Sequence, residues 1–230
     1  MNIKYMVHTC PNRLWYVEEF MIPSMLKQGI AKDEIYVYND DLEDGNLLSS
    51  IKSFNLCSER FGEEIIWHLQ DDVVICSDFR IRAEMMREKM HRANIIVTAG
   101  ITVLDDGLEK QGEVFPKDLW LSFPCICINS RILRKYKSWV NEIKKTSALV
   151  QDAIRTKKND DGVFRMYLKH CYSYAKCYNM VPNLVDHIDW LLGGSEVNKE
   201  RKGIYRAKYF EDQYLVDELK EQLKSRMDTL

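Results

Sequence analysis

Asp71 and Asp72 stand side by side directly after the run Ile65-Ile66-Trp67-His68-Leu69 and Gln70. Adjacent carboxylates repel each other and lose solvation at the end of a buried strand unless positive charge sits beside them. A divalent cation relieves that conflict, since Mg²⁺ and Mn²⁺ favour carboxylate oxygens and share them with ligand phosphates. The plain alternative is a polar turn that closes a strand. Other residues add to the chemical reading. Asp40-Asp41 follows a second apolar run, Ile35 to Tyr38, so two strand ends carry acids. Asn159-Asp160-Asp161 opens a helical pattern, where capping accounts for one acid rather than two. His187 follows Pro182 in an otherwise apolar segment. A lone histidine is more often a hydrogen-bonded core residue than a ligand, yet an imidazole is also a common metal donor. Lys199, Arg201, Lys202, Arg206 and Lys208 fall within ten residues against one acid, Glu200. That stretch suits a phosphorylated ligand, a polymer or a solvated helix face.

These groups need a scaffold. Ile3 to Cys10 reads as a buried strand ended by Pro11-Asn12. Leu14, Val17, Met21 and Met25 then recur at helical spacing up to Gly29, with Pro23 expected to kink that helix or mark its tight end. Ile35 to Tyr38 is a second strand, and Leu47, Ile51 and Phe54 mark a short helix. Ile65 to Leu69 is a third strand, and Val73-Val74-Ile75 follows the acids. Phe79, Ala83, Met86 and Met90 mark a helix capped by Ser77 or Asp78, and Ile95 to Ala99 is a strand. The region from Asp105 to Pro116 reads as a loop or hairpin. Cys125 to Ile128 is a strand, and Asn129-Ser130 caps a helix through Ile132, Tyr136, Trp139 and Ile143. Val163, Phe164, Tyr167 and Leu168 mark another helix before a last strand near Ser173 to Tyr178. Alternation of strand and helix predicts one α/β domain, a mostly parallel sheet with helices on both faces. Ligands of such sheets bind beyond the carboxyl ends of the strands, where both acid pairs fall.

The chain has 230 residues, 46% hydrophobic and 30% charged, which places it in the globular range and excludes long disordered or collagen-like arrays. A net charge of −2 gives no global attraction to nucleic acid or anionic lipid. No apolar run approaches the ~20 residues of a membrane span. The first residues carry no long apolar h-region, so a cytoplasmic location is expected. Seven cysteines, odd in number and without a Cys-x-x-Cys pair, read as buried reduced thiols. Cys125 and Cys127 are alternate residues of one strand, poor geometry for tetrahedral zinc. Leu215, Leu219 and Leu223 at helical spacing suit a terminal helix that clamps the core or a second copy.

Taken in order, several segments resemble the GT-A-type glycosyltransferases, particularly the short forms encoded by bacteriophages. They are His8-Thr9-Cys10-Pro11-Asn12-Arg13, Gln70-Asp71-Asp72-Val73, Asn159-Asp160-Asp161, Pro182 to Asp189, and Gly193-Gly194-Ser195 through Arg201 to Tyr209. The resemblance spans nearly the whole chain. It implies a GT-A-like Rossmann-type mixed sheet. Within it, 1–75 would form the nucleotide-sugar-binding half, 76–212 the acceptor and catalytic half, and 213–230 a C-terminal helix. It also implies a nucleotide-diphosphate sugar donor, with a UDP-sugar the usual case, and transfer of a hexose or pentose. Thr9, Pro11, Arg13 and Asp40 would border the nucleoside, and Asp71 would reach ribose or metal-bound water. Asp72 and His187 would hold Mn²⁺ or Mg²⁺, with Gln70 replacing the acid often found first in the motif. Asp160 or Asp161 would deprotonate the acceptor hydroxyl, and Arg201 and Lys202 would cover the departing diphosphate. The acceptor is open. A modified base in DNA is one option, with Arg80, Arg82, Arg87, Lys89 and Arg92 on one helix, and Arg131, Arg134, Lys135 and Lys137 on another, placed to track phosphates.

Two other functions stay in play. A sugar nucleotidyltransferase shares the core and the metal but commonly carries a glycine-rich basic loop after the first strand, and Thr9 to Arg13 has no glycine. A binding module that keeps the fold without catalysis would fit the replacement at Gln70.

Overall fold

A computed structural model of the chain describes residues 3–42, 44–61, 65–101, 112–119, 123–193 and 206–227. β1 (Ile3–Thr9) is followed by a 3₁₀ turn (Pro11–Arg13), α1 (Leu14–Tyr16), a π turn (Val17–Met21) and α2 (Ile22–Lys27). Pro23 causes this segmentation. It has no N–H to offer the carbonyl of Glu19, and its ring crowds that carbonyl, so the helix widens in the turn before it. Then come β2 (Ile35–Asn39), α3 (Asn46–Phe61), β3 (Ile65–Gln70), β4 (Val73–Ile75), α4 (Phe79–Ala93) and β5 (Ile95–Ala99). β6 (Gly112–Val114), β7 (Cys125–Asn129), α5 (Ser130–Ile143), α6 (Ala148–Thr156) and α7 (Asp160–Cys171) follow. β8 (Lys176–Asn179), β9 (Val185–His187) and α8 (Gln213–Met227) complete the order.

Seven strands form one sheet in the order β2-β1-β3-β7-β5-β8-β6. β1 runs parallel to β2 and β3, and β5 parallel to β8, while β7 opposes both of its neighbours and β6 opposes β8. Five strands thus share a direction, and the expected mixed, mostly parallel sheet is what forms. Side chains alternate between its faces. Tyr5, Val7, Trp67 and Leu69 pack on one side with Met25, Phe79 and Val216. Met6, Ile66, Ile126 and Ile128 pack on the other with Phe54, Tyr136 and Phe164. The rings of Tyr136 and Phe164 meet edge to face at 4.9 Å, the geometry their quadrupoles favour. Val216, Leu219 and Leu223 bury the inner stripe of α8 against the chain's own core.

Some local expectations change. Asp78 precedes α4, but its side chain makes no capping hydrogen bond; it lies 3.9 Å from Arg82 instead. Asn129 does cap α5, its Oδ1 accepting from the Arg131 N–H at 3.0 Å. α6 escapes the sequence pattern because only Val150 and Ala153 of its nine residues are buried. All seven cysteines are free thiols, but Cys171 at the end of α7 is exposed and Cys10 half-buried, so the expectation of burial holds for the other five. Most of the loop or hairpin read between Asp105 and Pro116 lies outside the described residues. No helix among the described residues is long and apolar enough to cross a membrane.

Candidate active site

β3 ends in the two-residue turn Asp71-Asp72, and the chain re-enters extended structure at once as β4. That short strand cannot join the main sheet. It pairs instead with β9, antiparallel, with Val73 opposite His187. The Ile188 N–H donates to the Asp72 carbonyl at 2.8 Å and locks the register. His187 Nε2 thereby comes within 3.1 Å of Asp72 Oδ2, and Asp189 Oδ1 lies 3.7 Å from the other ring nitrogen. Residues far apart in sequence share one buried pocket of charge at the carboxyl end of the parallel strands.

The first strand supplies the rest. β1 pairs with β3 up to His8 opposite Gln70, which puts Thr9 beside Asp71. Thr9 Oγ1 donates to Asp71 Oδ2 at 2.8 Å, and the Cys10 N–H donates to the same oxygen at 3.3 Å. The 3₁₀ turn then folds Arg13 back, and one guanidinium nitrogen reaches Asp71 at 3.3 Å and Asp72 at 3.0 Å. Arg13 is 3% exposed. The conflict between adjacent carboxylates is therefore relieved in the first instance by this side chain. Arg13, read from the sequence as a residue bordering the nucleoside, is bound to both acids.

The two acids differ sharply. Burial and the neighbouring Asp72 charge push the Asp71 carboxyl up to about 6, against the pull of Arg13 and Thr9. Burial acts the same way on Asp72, but His187 and Arg13 outweigh it and hold that carboxyl well below the usual range. Burial opposes the charge on Arg13, and the two carboxylates overcome it and raise its pKa. Among the described residues, Asp72 Oδ1 is buried with no hydrogen-bond partner. Such an oxygen costs free energy unless a donor or cation meets it.

Asp40 lies next to this cluster through the backbone, its N–H donating to the Thr9 carbonyl at 2.8 Å. The carboxyl of Asp40 is buried, which raises its pKa. Pro11 is exposed at the start of the 3₁₀ turn. Asp160 and Asp161 open α7. Ser50 on α3 donates to Asp160 at 2.8 Å, and the Gly162 N–H donates to Asp161 at 2.8 Å. Burial and the Asp161 charge push the Asp160 carboxyl up to about 7. Arg201 and Lys202 lie outside the described residues.

Several contributors escaped the sequence reading. Tyr16 O–H donates to the Val73 carbonyl at 2.8 Å and props the turn from below. Asp186, fully buried, accepts from the His187 and Ala207 N–H groups at 2.9 and 2.7 Å and from Arg206 Nε at 2.8 Å. The basic residue Arg206 is thus a tether of the segment after β9, and charge patterning alone gave no hint of its buried partner. Behind β1, His8 Nε2 lies 2.6 Å from Ser49 Oγ and its ring lies 5.7 Å from that of His68. Burial drives His8 down to about 4 and His68 well below its usual value, so both imidazoles are neutral.

No family model matches the chain, and no curated protein matches it. Solved structures do. The chain is similar to residues 1–349 of S. aureus TarS with a TM-score of 0.52 and 12% identity, over 82% of this chain and 61% of that one. It thus spans less than two thirds of that structure. It is also similar to the galactosyltransferase LgtC (TM-score 0.48, 10% identity, 98% and 96% covered). A cytidylyltransferase from Leptospira borgpetersenii shows the same kind of likeness (0.43, 11%, 91% and 80%). At such identities the likeness concerns the fold, and the TarS overlap carries it: the chain has the GT-A-like, Rossmann-type α/β architecture.

Proposed function

We propose that the protein is a metal-dependent glycosyltransferase that moves a sugar from a nucleotide-diphosphate donor, a UDP-sugar in the first instance, to an acceptor hydroxyl. The observation that carries this reading is the juxtaposition of Asp72 and His187 at 3.1 Å with a second, unpartnered carboxylate oxygen buried beside them. An oxygen and an imidazole nitrogen form a donor pair suited to Mn²⁺, and to Mg²⁺ through the oxygen. Asp189 lies 3.7 Å from the other ring nitrogen, close enough that a small closing shift would let it orient the imidazole as outer carboxylates do for metal-bound histidines. The residues present therefore fit a divalent cation, held by Asp72 and His187. When bound, it would neutralise charge on the donor diphosphate.

The chain's own groups do the rest. Arg13 keeps Asp71 and Asp72 in place and carries positive charge to the site. Thr9 holds Asp71, whose carboxyl faces the donor ribose, and Asp40 and Pro11 border the nucleoside. Arg201 and Lys202 stabilise the leaving diphosphate as its charge develops. Asp161, half-exposed at the start of α7, is the base for the acceptor hydroxyl, with buried Asp160 beside it. A base opposite the leaving group inverts the anomeric centre. On α4, Arg80 and Arg92 pair with Glu84 and Glu88 at exposed positions, and a modified base in DNA stays among the acceptors to test. Free thiols throughout fit a reducing, cytoplasmic compartment.

The test is a panel of nucleotide sugars with Mn²⁺. Slow donor hydrolysis that Asp72→Ala abolishes, with the thermal melt still cooperative, supports the reading. Pyrophosphate release from a nucleoside triphosphate would replace it with nucleotidyl transfer. A folded protein that binds neither metal nor nucleotide sugar would leave only a non-catalytic module.

A further inference from the structure

The carboxylate of Asp186, next to His187 on β9, is fully buried yet collects donors from two separate stretches of chain. In an antiparallel pair, successive N–H groups point alternately toward the partner strand and away from it. Ile188 directs its N–H at the Asp72 carbonyl, so the N–H of His187 faces away from β4. Asp186 Oδ1 accepts that N–H at 2.9 Å and the Ala207 N–H at 2.7 Å. Asp186 Oδ2 accepts from Arg206 Nε at 2.8 Å and from Arg206 Nη2. Residues 206 and 207 thus lie along the edge of β9 that β4 leaves open. A second tie sits beside the first: the Asn183 N–H donates to the Tyr209 carbonyl at 2.9 Å, and the Tyr209 N–H to Asn183 Oδ1 at 3.1 Å. Arg206 is braced in turn, donating to Gln213 at the start of α8 and lying 5.8 Å from the Trp190 ring.

A carboxylate has about four lone-pair sites, and here the four donors fill them. Well-packed apolar side chains would hold the chain as firmly as a buried ion pair does. What this pair adds is placement. Alternate side chains of a strand point to opposite faces, so Asp186 acts on His187 through its backbone N–H. The imidazole is left to Asp72 and Asp189. β9 has only three residues, and a ladder that short restrains little by itself. A donor pair for a cation has to be held within about 0.5 Å of its working geometry. β4 sets the register of His187 from one edge, and Asp186, neutralised by Arg206, fixes it from the other.

We infer that Arg206, acting through Asp186, is a positioning residue for His187 and sets the affinity of the Asp72–His187 pair for a divalent cation. The inference rests on the metal-dependent reading of that site. Its test is Mn²⁺ binding to the full chain, followed by electron paramagnetic resonance. Arg206→Met leaves Asp186 buried without this cation and is expected to weaken binding about tenfold or more, as loss of an outer partner of a metal ligand does. Arg206→Lys, which offers a point charge in place of the planar guanidinium, should act in the same direction and serves if Arg206→Met fails to fold. Asp186→Asn combined with Arg206→Met removes the stranded charge, keeps an oxygen for the two N–H groups, and is expected to recover most of the affinity. Leu219→Ala removes a core contact of α8 and leaves the four donors in place. It should lower the melting temperature and keep wild-type Mn²⁺ affinity, a separation that a merely structural role for Arg206 would not produce. In the metal-free protein, the β9 amides should exchange with deuterium faster in Arg206→Met than in the wild type. The proposal is overturned if the folded Arg206 variants bind Mn²⁺ as the wild type does, if Leu219→Ala weakens binding as much as they do, or if the double variant is no better than Arg206→Met. In those cases Mn²⁺ binding still depends on Asp72 and the glycosyltransferase reading stands. Wild-type binding that Asp72→Asn leaves unchanged removes the metal reading and this proposal with it.

Discussion

His187 Nε2 lies 3.1 Å from the Asp72 carboxylate because β9 pairs with β4 rather than with the seven-stranded sheet. If this pair holds a divalent cation, His187→Gln and Asp72→Asn should each abolish the tight component of Mn²⁺ binding. Asp189→Asn, which alters the carboxylate nearest the other ring nitrogen, should weaken it about 10–100-fold. Electron paramagnetic resonance titration of Mn²⁺ reads all three. Equal binding in the wild type and Asp72→Asn would remove the metal from this site.

Arg13→Met should be among the most damaging single changes. It leaves Asp71 and Asp72 buried without their shared guanidinium, and loss of one partner from a buried ion pair costs about 3–5 kcal/mol. Urea unfolding measures the loss. Saturating Mn²⁺ should return part of it, since a cation bound only by the folded state stabilises by mass action. A variant as stable as the wild type would show that the triad contributes little.

Stability should depend on pH through Asp160. The folded chain keeps this carboxyl protonated up to about pH 7, whereas its ordinary value is 3.8. Between those values the folded state binds more protons than the unfolded one, so stability falls as pH rises from about 4 to about 7. Each tenfold difference in proton affinity is ~1.4 kcal/mol, which bounds the loss at roughly 4 kcal/mol. Asp160→Asn should remove the part of that fall that extends to about pH 7, matching the wild type near pH 4 and exceeding it near pH 8, while Asp71, pushed up to about 6, keeps its own share. Parallel melting curves for the two proteins across that range would place the raised carboxyl elsewhere.

Asp161→Asn should lower transfer by about 10²–10⁴ with KM for the donor little changed, the pattern of a lost general base. Donor hydrolysis by water should fall less than transfer. An unchanged kcat for transfer would reassign the base.

Leu219→Ala removes a buried contact of α8, a residue 6% exposed in the core. It should cost about 2–5 kcal/mol. Because that stripe packs on its own chain, the loss should not vary with protein concentration. A loss that did vary would put a second copy on α8.

Most strands of the main sheet and most helices were legible from apolar runs and stripes: Phe79, Ala83, Met86 and Met90 were marked from spacing and are all buried. β9 was not read as a strand, and β6 fell in a region read as a loop or hairpin, because each has only three residues. α6 was not read either, since two buried residues in nine leave no period to detect. The acids after β3 were legible as a charged turn at a strand end. Their counter-charge was not, because Arg13 reaches them through a 3₁₀ turn whose direction no pattern of residue types encodes. The buried partner of Arg206 was hidden for the same reason: Asp186 sits in an otherwise apolar segment, and only the pairing of β9 with β4 reveals its place.

Local chemistry alone determined which segments become strands and helices and which residue types end them, because hydrogen-bonding period and side-chain burial are short-range properties of the chain. Tertiary structure decided the electrostatics. The separation of Asp71, pushed up to about 6, from the strongly ionised Asp72 depends on burial and on charges brought in from β1 and β9, and Coulomb interactions respond to distance in space rather than to distance along the sequence.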